Sequence, residues 1–113
     1  AGAEMVVFQG PSANATSAGA HLLLPAAAYV EREGTFTNFQ GRVQRFRTAL
    51  EPLGEAAADW DLLGRLGRVL GAGDPALTAT RAEQVFTALA AAIPAYAGMT
   101  YRGLGDAGSV VTT

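Results

Sequence analysis

The chain reads as an α/β fold: a short parallel βαβ unit, then a β-hairpin or extended loop, then two helices. Three observations predict it. Met5-Val-Val-Phe8 and His21-Leu-Leu-Leu24 are short, unbroken apolar runs, as expected of strands buried on both faces of a parallel sheet. About ten residues connect them, which suits a right-handed crossover better than a tight hairpin. The second half of the chain carries apolar residues at helical spacing.

The first strand spans Glu4 to Gln9 and ends at Gly10-Pro11. Ser12 is a plausible N-cap for a short helix through Ala18, and Gly19 a stop. The second strand, His21 to Leu24, is closed by Pro25. Ala26 to Val30 fits one helical turn or an extended lead-in. Thr35 to Phe46 then reads in two ways: a β-hairpin turning at Asn38-Phe39-Gln40-Gly41, or a polar loop at the strand ends where open α/β sheets bind ligands. Glu51-Pro-Leu-Gly54 breaks the chain.

A helix is predicted over Glu55 to Leu70, with Trp60, Leu63, Gly67 and Leu70 on one stripe and Leu62, Leu66 and Val69 beside it. Its acids Glu55, Asp59 and Asp61 lie early and Arg65 and Arg68 late, as the helix dipole favours, with Gly71 placed to end it. Gly71 to Thr78 is a loop. Thr80-Arg-Ala-Glu83 is a capping-box pattern before a helix carrying Val85, Phe86, Leu89 and Ile93 and stopping before Pro94. Residues 1–102 form the domain segment, and the glycines beyond Tyr96 predict a flexible tail over 103–113.

The 113 residues suffice for one modest core. Half are hydrophobic, 16% are charged, and the formal net charge is −2. Nothing steers such a chain to nucleic acid or an anionic membrane surface. No apolar run approaches the roughly 20 residues of a membrane span, so no direct membrane insertion is expected. Cysteine is absent, which excludes disulfides, thiolate zinc and iron–sulfur ligation within these residues. The start at Ala1, with a strand almost at once, predicts an excised piece of something longer. All eight basic residues are arginine, a pattern that biased codon usage explains.

Glu31 and Glu33 would share a face on a strand and resemble a catalytic carboxylate pair, yet a solvated acidic turn fits better. His21 with scattered Ser and Asp residues makes no triad, for no nucleophile elbow exists. Gly34 and Gly41 do not spell a dinucleotide or phosphate-loop fingerprint. Gly10-Pro11 before a helix is a weak anion-site signal. Arg42, Arg45 and Arg47 form a basic ridge that faces a phosphate or pairs with Glu51 and Glu55.

The series His21-Leu-Leu-Leu-Pro-Ala-Ala-Ala-Tyr-Val-Glu31, Glu33-Gly-Thr-Phe-Thr-Asn38, Gly41-Arg-Val-Gln44, Glu51-Pro-Leu-Gly-Glu55 and Asp59-Trp-Asp-Leu-Leu63 resembles one region of the molybdopterin oxidoreductase superfamily. Pro94-Ala-Tyr-Ala-Gly-Met-Thr-Tyr101 continues the likeness. It departs at His21, Arg32 and Gln40, where relatives usually carry Asp, Lys and Glu. The resemblance implies a piece of a larger molybdopterin-oxidoreductase-like domain. Within the superfamily the nearest likeness is to the large iron–sulfur subunit of bacterial NADH-quinone oxidoreductase (respiratory complex I), with the catalytic subunit of formate dehydrogenase as the alternative.

The first implies a structural part of a protein on the cytoplasmic side of the bacterial inner membrane. Its partners would be the remainder of its own subunit and the other peripheral-arm subunits of complex I. No cofactor is expected in this piece, while the parent subunit would bind iron–sulfur clusters. The second implies that Gly34, Thr35, Asn38, Gly41, Arg42 and Gln44 line a pterin pocket, with the metal ligand elsewhere. In complex I these positions would be vestigial.

Overall fold

The computed structural model describes residues 2–112. Strand β1 (Val7–Gly10) pairs in parallel with β2 (Leu22–Pro25), Val7 opposite Leu22 and Gly10 opposite Pro25. The parallel pair is as the apolar runs predict. Its crossover holds only a 3₁₀ turn, Ser17–Gly19, in place of the expected helix. Asn14, not Ser12, organises it: the Asn14 Oδ1 accepts from the amides of Thr16 and Ser17 at 2.9 and 3.0 Å. Such side-chain turns compete with helix formation. His21 Nδ1 accepts from the Val6 amide at 3.0 Å, a satisfied sheet-end histidine.

Past Pro25 the chain remains extended, and Ala26 bridges in parallel to Ala57. The Ala27 amide donates to the Ala57 carbonyl at 2.8 Å, and the Ala57 amide to that of Pro25 at 3.1 Å. This delays the next helix. It spans α1 (Asp59–Val69) and not Glu55 onward, because the preceding alanines are held extended against β2. Its end is as expected: the Ala72 amide donates to Gly67 O at 2.8 Å and that of Gly71 to Arg68 O at 3.1 Å. Gly71 has φ +72°. These are the two bonds of a Schellman stop.

The buried face of α1 differs from the predicted stripe. Leu62, Gly64 and Gly67 are buried, whereas Val69 and Leu70 are 84% and 74% exposed. The reason is α2 (Pro75–Thr78), a short helix inside the predicted loop, capped by Asp74 Oδ1 on the Ala76 amide at 2.7 Å. A Cβ on Gly67 would meet the Leu77 side chain at 2.9 Å. Close approach thus selects small residues where periodicity counts large ones. Among the described residues no helix is long and apolar enough to cross a membrane.

Helix α3 (Ala82–Ala92) buries Ala82 and Phe86 and ends before Pro94. The predicted capping box is displaced by one residue. Gln84, not Glu83, reaches back, its Oε1 accepting from the Thr80 amide at 2.8 Å. Strands β3 (Gly34–Thr37) and β4 (Arg42–Phe46) form the antiparallel hairpin, turning at residues 38–41. The backbone of this stretch is therefore the hairpin.

The expected flexible tail over 103–113 is a packed segment in its described part. Leu104 is 2% exposed, and β5 (Ser109–Val110) pairs antiparallel with β4, giving the sheet order β3-β4-β5. Glycines read as disorder serve turns, with Gly98, Gly105 and Gly108 at positive φ. Val43, Ala82, Phe86, Tyr101 and Leu104 make the core, with Trp60, Leu89, Tyr96, Met99 and Val111 against it.

Gly108 tests this packing. It has φ +73°, and a Cβ there would strike the Val43 carbonyl and lie 2.7 Å from Gln44 Cγ. Gly108→Ala should lose roughly 1–3 kcal/mol of stability in urea denaturation, the range for strain at a special backbone position. An unchanged midpoint would mean that β5 does not hold to β4.

Candidate functional site

Cross-strand partners in an antiparallel pair share a face. Thr35, Thr37, Val43 and Arg45 therefore form one face of the hairpin, and Gly34, Phe36, Arg42, Gln44 and Phe46 the other. The first lies on α3 and the segment after it. Val43 is wholly buried, the Arg45 guanidinium sits 4.1 Å above the Tyr101 ring, and the Thr37 and Tyr96 hydroxyls are 2.9 Å apart. The second face carries the Phe36 and Phe46 rings, stacked at 4.7 Å. It is otherwise open, with Gln44 exposed.

The expected site residues divide among these places instead of lining one pocket. Asn38 is occupied by the turn, its Oδ1 accepting from the amides of Gln40 and Arg42 at 3.0 and 2.9 Å. Gly41 has φ +73°, and a Cβ would meet Val111 at 2.9 Å. Gly34 leaves room for the Phe46 ring, which a Cβ would approach to 3.1 Å. These three shape backbone. Thr35 faces inward beside a groove. Arg42 and Gln44 project outward together, and Arg42 Nη1 donates only to the Ala107 carbonyl, at 3.2 Å, on the exposed side.

The groove, of about 260 Å³, runs between the β3 edge, α1 and α3. At its polar end Arg32 pairs with Asp59, whose other oxygen accepts from Gln9 Nε2 at 2.5 Å. One carboxylate so ties β1, the hairpin lead-in and the start of α1. Trp60, Val85, Phe86 and Leu89 form its apolar wall. Arg32 Nε and Trp60 Nε1 have no hydrogen-bond partner and are closed to solvent, a costly arrangement for buried donors.

Glu31 and Glu33 do not act as a carboxylate pair. Glu31 Oε2 accepts from the Ala28 amide at 2.8 Å, while Glu33 Oε2 accepts from the Tyr101 hydroxyl at 3.5 Å. Burial first, and then the Glu33 charge, raise the Tyr101 pKa above the ordinary phenol value. That hydroxyl remains a donor throughout the physiological range. The predicted basic ridge is likewise split: Arg45 lies on Tyr101, and neither Glu51 nor Glu55 forms an ion pair with Arg42 or Arg47 among the described residues. Nor do those residues gather three metal-ligating side chains. Arg32, Asp59, Trp60 and Tyr101 were not singled out by sequence as groove residues, because only tertiary contact assembles them.

The molybdopterin oxidoreductase family model matches residues 3–69. The chain is 43% identical over 86 residues to the F420-dependent formate dehydrogenase 2 subunit alpha of Methanococcus maripaludis, covering 76% of this chain and 13% of that protein. It is 38% identical over 101 residues to the F420-dependent formate dehydrogenase subunit alpha of Methanocaldococcus jannaschii, covering 89% and 15%. It is 35% identical over 100 residues to the NADPH-Fe(3+) oxidoreductase subunit alpha of Geobacter sulfurreducens, covering 88% and 12%. The chain thus spans only a small part of the relatives it matches.

These relatives overturn the expected assignment to the large iron–sulfur subunit of NADH-quinone oxidoreductase, since formate dehydrogenase subunits lead the matches. The residues that carry the resemblance mark the superfamily and do not separate its branches. On the family match and these identities, the chain belongs to the molybdopterin oxidoreductase family.

Proposed function

We propose that this chain is one part of the catalytic subunit of a molybdopterin-dependent formate dehydrogenase. The observation that carries this is the identity to formate dehydrogenase alpha subunits across three quarters or more of the chain. The outer face of the hairpin is the part that turns toward the pterin cofactor. Two side chains there have hydrogen-bonding capacity left over: the Arg42 guanidinium and the Gln44 amide, beside the Phe36 ring. They fit the group.

A guanidinium offers paired N–H donors to phosphate oxygens, and an amide offers one donor group and one acceptor to the edge of a heteroaromatic ring. When bound, the cofactor supplies the two-electron chemistry that formate oxidation needs. This chain's residues bind and orient it. Asn38, Gly34 and Gly41 act one step back, by fixing the turn and the strand from which Arg42 and Gln44 project. The inner face, with Thr35, serves as scaffold. Because the chain has no cysteine, iron–sulfur clusters of the parent protein would be held by residues outside it.

Two substitutions in the full-length polypeptide separate these roles. Arg42→Ala should lower the affinity for the pterin cofactor about ten- to a hundredfold, the loss expected for one charged hydrogen bond, read as molybdenum and pterin content of the purified protein. Unchanged cofactor content and unchanged formate oxidation would remove the proposal. Asn38→Ala should instead cost about 1 kcal/mol of stability for each backbone amide deprived of its acceptor, read as a lower unfolding midpoint. Cofactor content lost without any loss of stability would place Asn38 at the cofactor.

A further inference from the structure

In the order β3-β4-β5, β3 is an edge strand, and its edge borders the groove. The register fixes what that edge offers. The Asn38 amide donates to the Arg42 carbonyl at 3.0 Å, so alternation puts Phe36 opposite Gln44 and Gly34 opposite Phe46 in the bonded sites of the β3–β4 ladder. The N–H and C=O groups of Thr35 and Thr37 then point away from β4. No other described residue bonds to them. Natural edges are guarded by Lys, Pro, bulges or inward charges. Gly34-Thr-Phe-Thr37 carries none of these.

Beside this edge lies an apolar wall of Trp60, Val85, Phe86 and Leu89, with room for a side chain. Main-chain donors and acceptors at an edge, next to an apolar recess, are the two elements by which a sheet binds an extended strand. We propose that the β3 edge and its groove receive an extended, apolar segment of the same polypeptide from outside residues 1–113. It would bond to Thr35 and Thr37 and place one apolar side chain between Trp60 and Phe86. This rests on the reading of the chain as part of a longer protein.

The length of the relatives argues for that occupant over a second copy. In them the matched stretch is only 13% to 15% of the protein, leaving the rest of the chain to supply a strand. Of the charges that line the groove, Arg32 is paired with Asp59 and Glu33 accepts from the Tyr101 hydroxyl, while the wall beside the edge is apolar.

A photoreactive benzoylphenylalanine placed at Phe36 in the full-length polypeptide, followed by peptide mapping, tests it. A cross-link to a segment of the same polypeptide outside residues 1–113, with amide exchange over residues 34–37 slowed at least about tenfold against an open edge, is the expected result. Thr35→Pro, which deletes one outward donor at an edge that tolerates proline, should reduce the cross-link, and Thr35→Ser should restore it. A cross-link to a second copy or to another subunit would overturn the proposal, as would fast exchange with no cross-link. A full-length protein that oxidises formate yet gives no cross-link removes the strand alone. One without pterin removes the formate dehydrogenase reading and leaves the strand to be judged by the cross-link.

Discussion

The structure depends on the register of one strand. β4 is the middle strand of its sheet, and Val43 on it is wholly buried under α3. A slip of one residue would expose Val43 and carry Arg42 and Gln44 inward. With the register held, Arg45 lies on the Tyr101 ring, Ser109 meets Val43, and Arg42 and Gln44 face out. The turn reinforces it. Asn38 takes two amides and Gly41 supplies the left-handed corner, so sequence chemistry at residues 38–41 and packing at residue 43 specify the same pairing.

A second tie joins the hairpin to the parallel strands. Asp59 opens α1, pairs with Arg32 just before β3, and accepts from Gln9 on β1. Placing that acid in the first turn also suits the helix dipole. The same few residues therefore set the helix start and the angle at which the hairpin leaves the sheet. The large apolar side chains left in the open are consistent with a region built to pack against more protein. Val69 and Leu70 on α1 are mostly exposed, as is Phe39 at 96%. Parallel strands such as β1 and β2 ordinarily have both faces covered.

Much of this fold was legible where local chemistry decides. The apolar runs of β1 and β2, the Asn38 to Gly41 turn and the Gly71 stop each carry their cause in adjacent residues. What was not legible depends on distant contact. Gly67 stood on the predicted stripe of α1, but Gly64 did not, and it is buried because α2 approaches it closely, where hydrophobic periodicity gives glycine no weight. Ala56 and Ala57 favour a helix by propensity, but the Ala56 amide closes a turn on the Leu53 carbonyl and Ala57 is bridged to Ala26 at the end of β2. The glycines of the last segment resemble a loose tail until β4 is there to pair with β5. For the proposed site, the resemblance named residues of the hairpin without separating its two faces. Alternation along the strands separates Arg42 and Gln44 from the residues that only shape them, and places Arg32, Asp59 and Tyr101 at a groove no motif announces.

The central claim is that the outward face of the hairpin serves a pterin while the inward face is scaffold. An experimentally determined structure of the cofactor-loaded full-length protein tests it most directly. The claim predicts the Arg42 guanidinium and Gln44 amide within hydrogen-bonding distance of the cofactor, with Arg45 still stacked on Tyr101. A cofactor bound away from the hairpin, or reached from its Thr35 and Arg45 face, would contradict it.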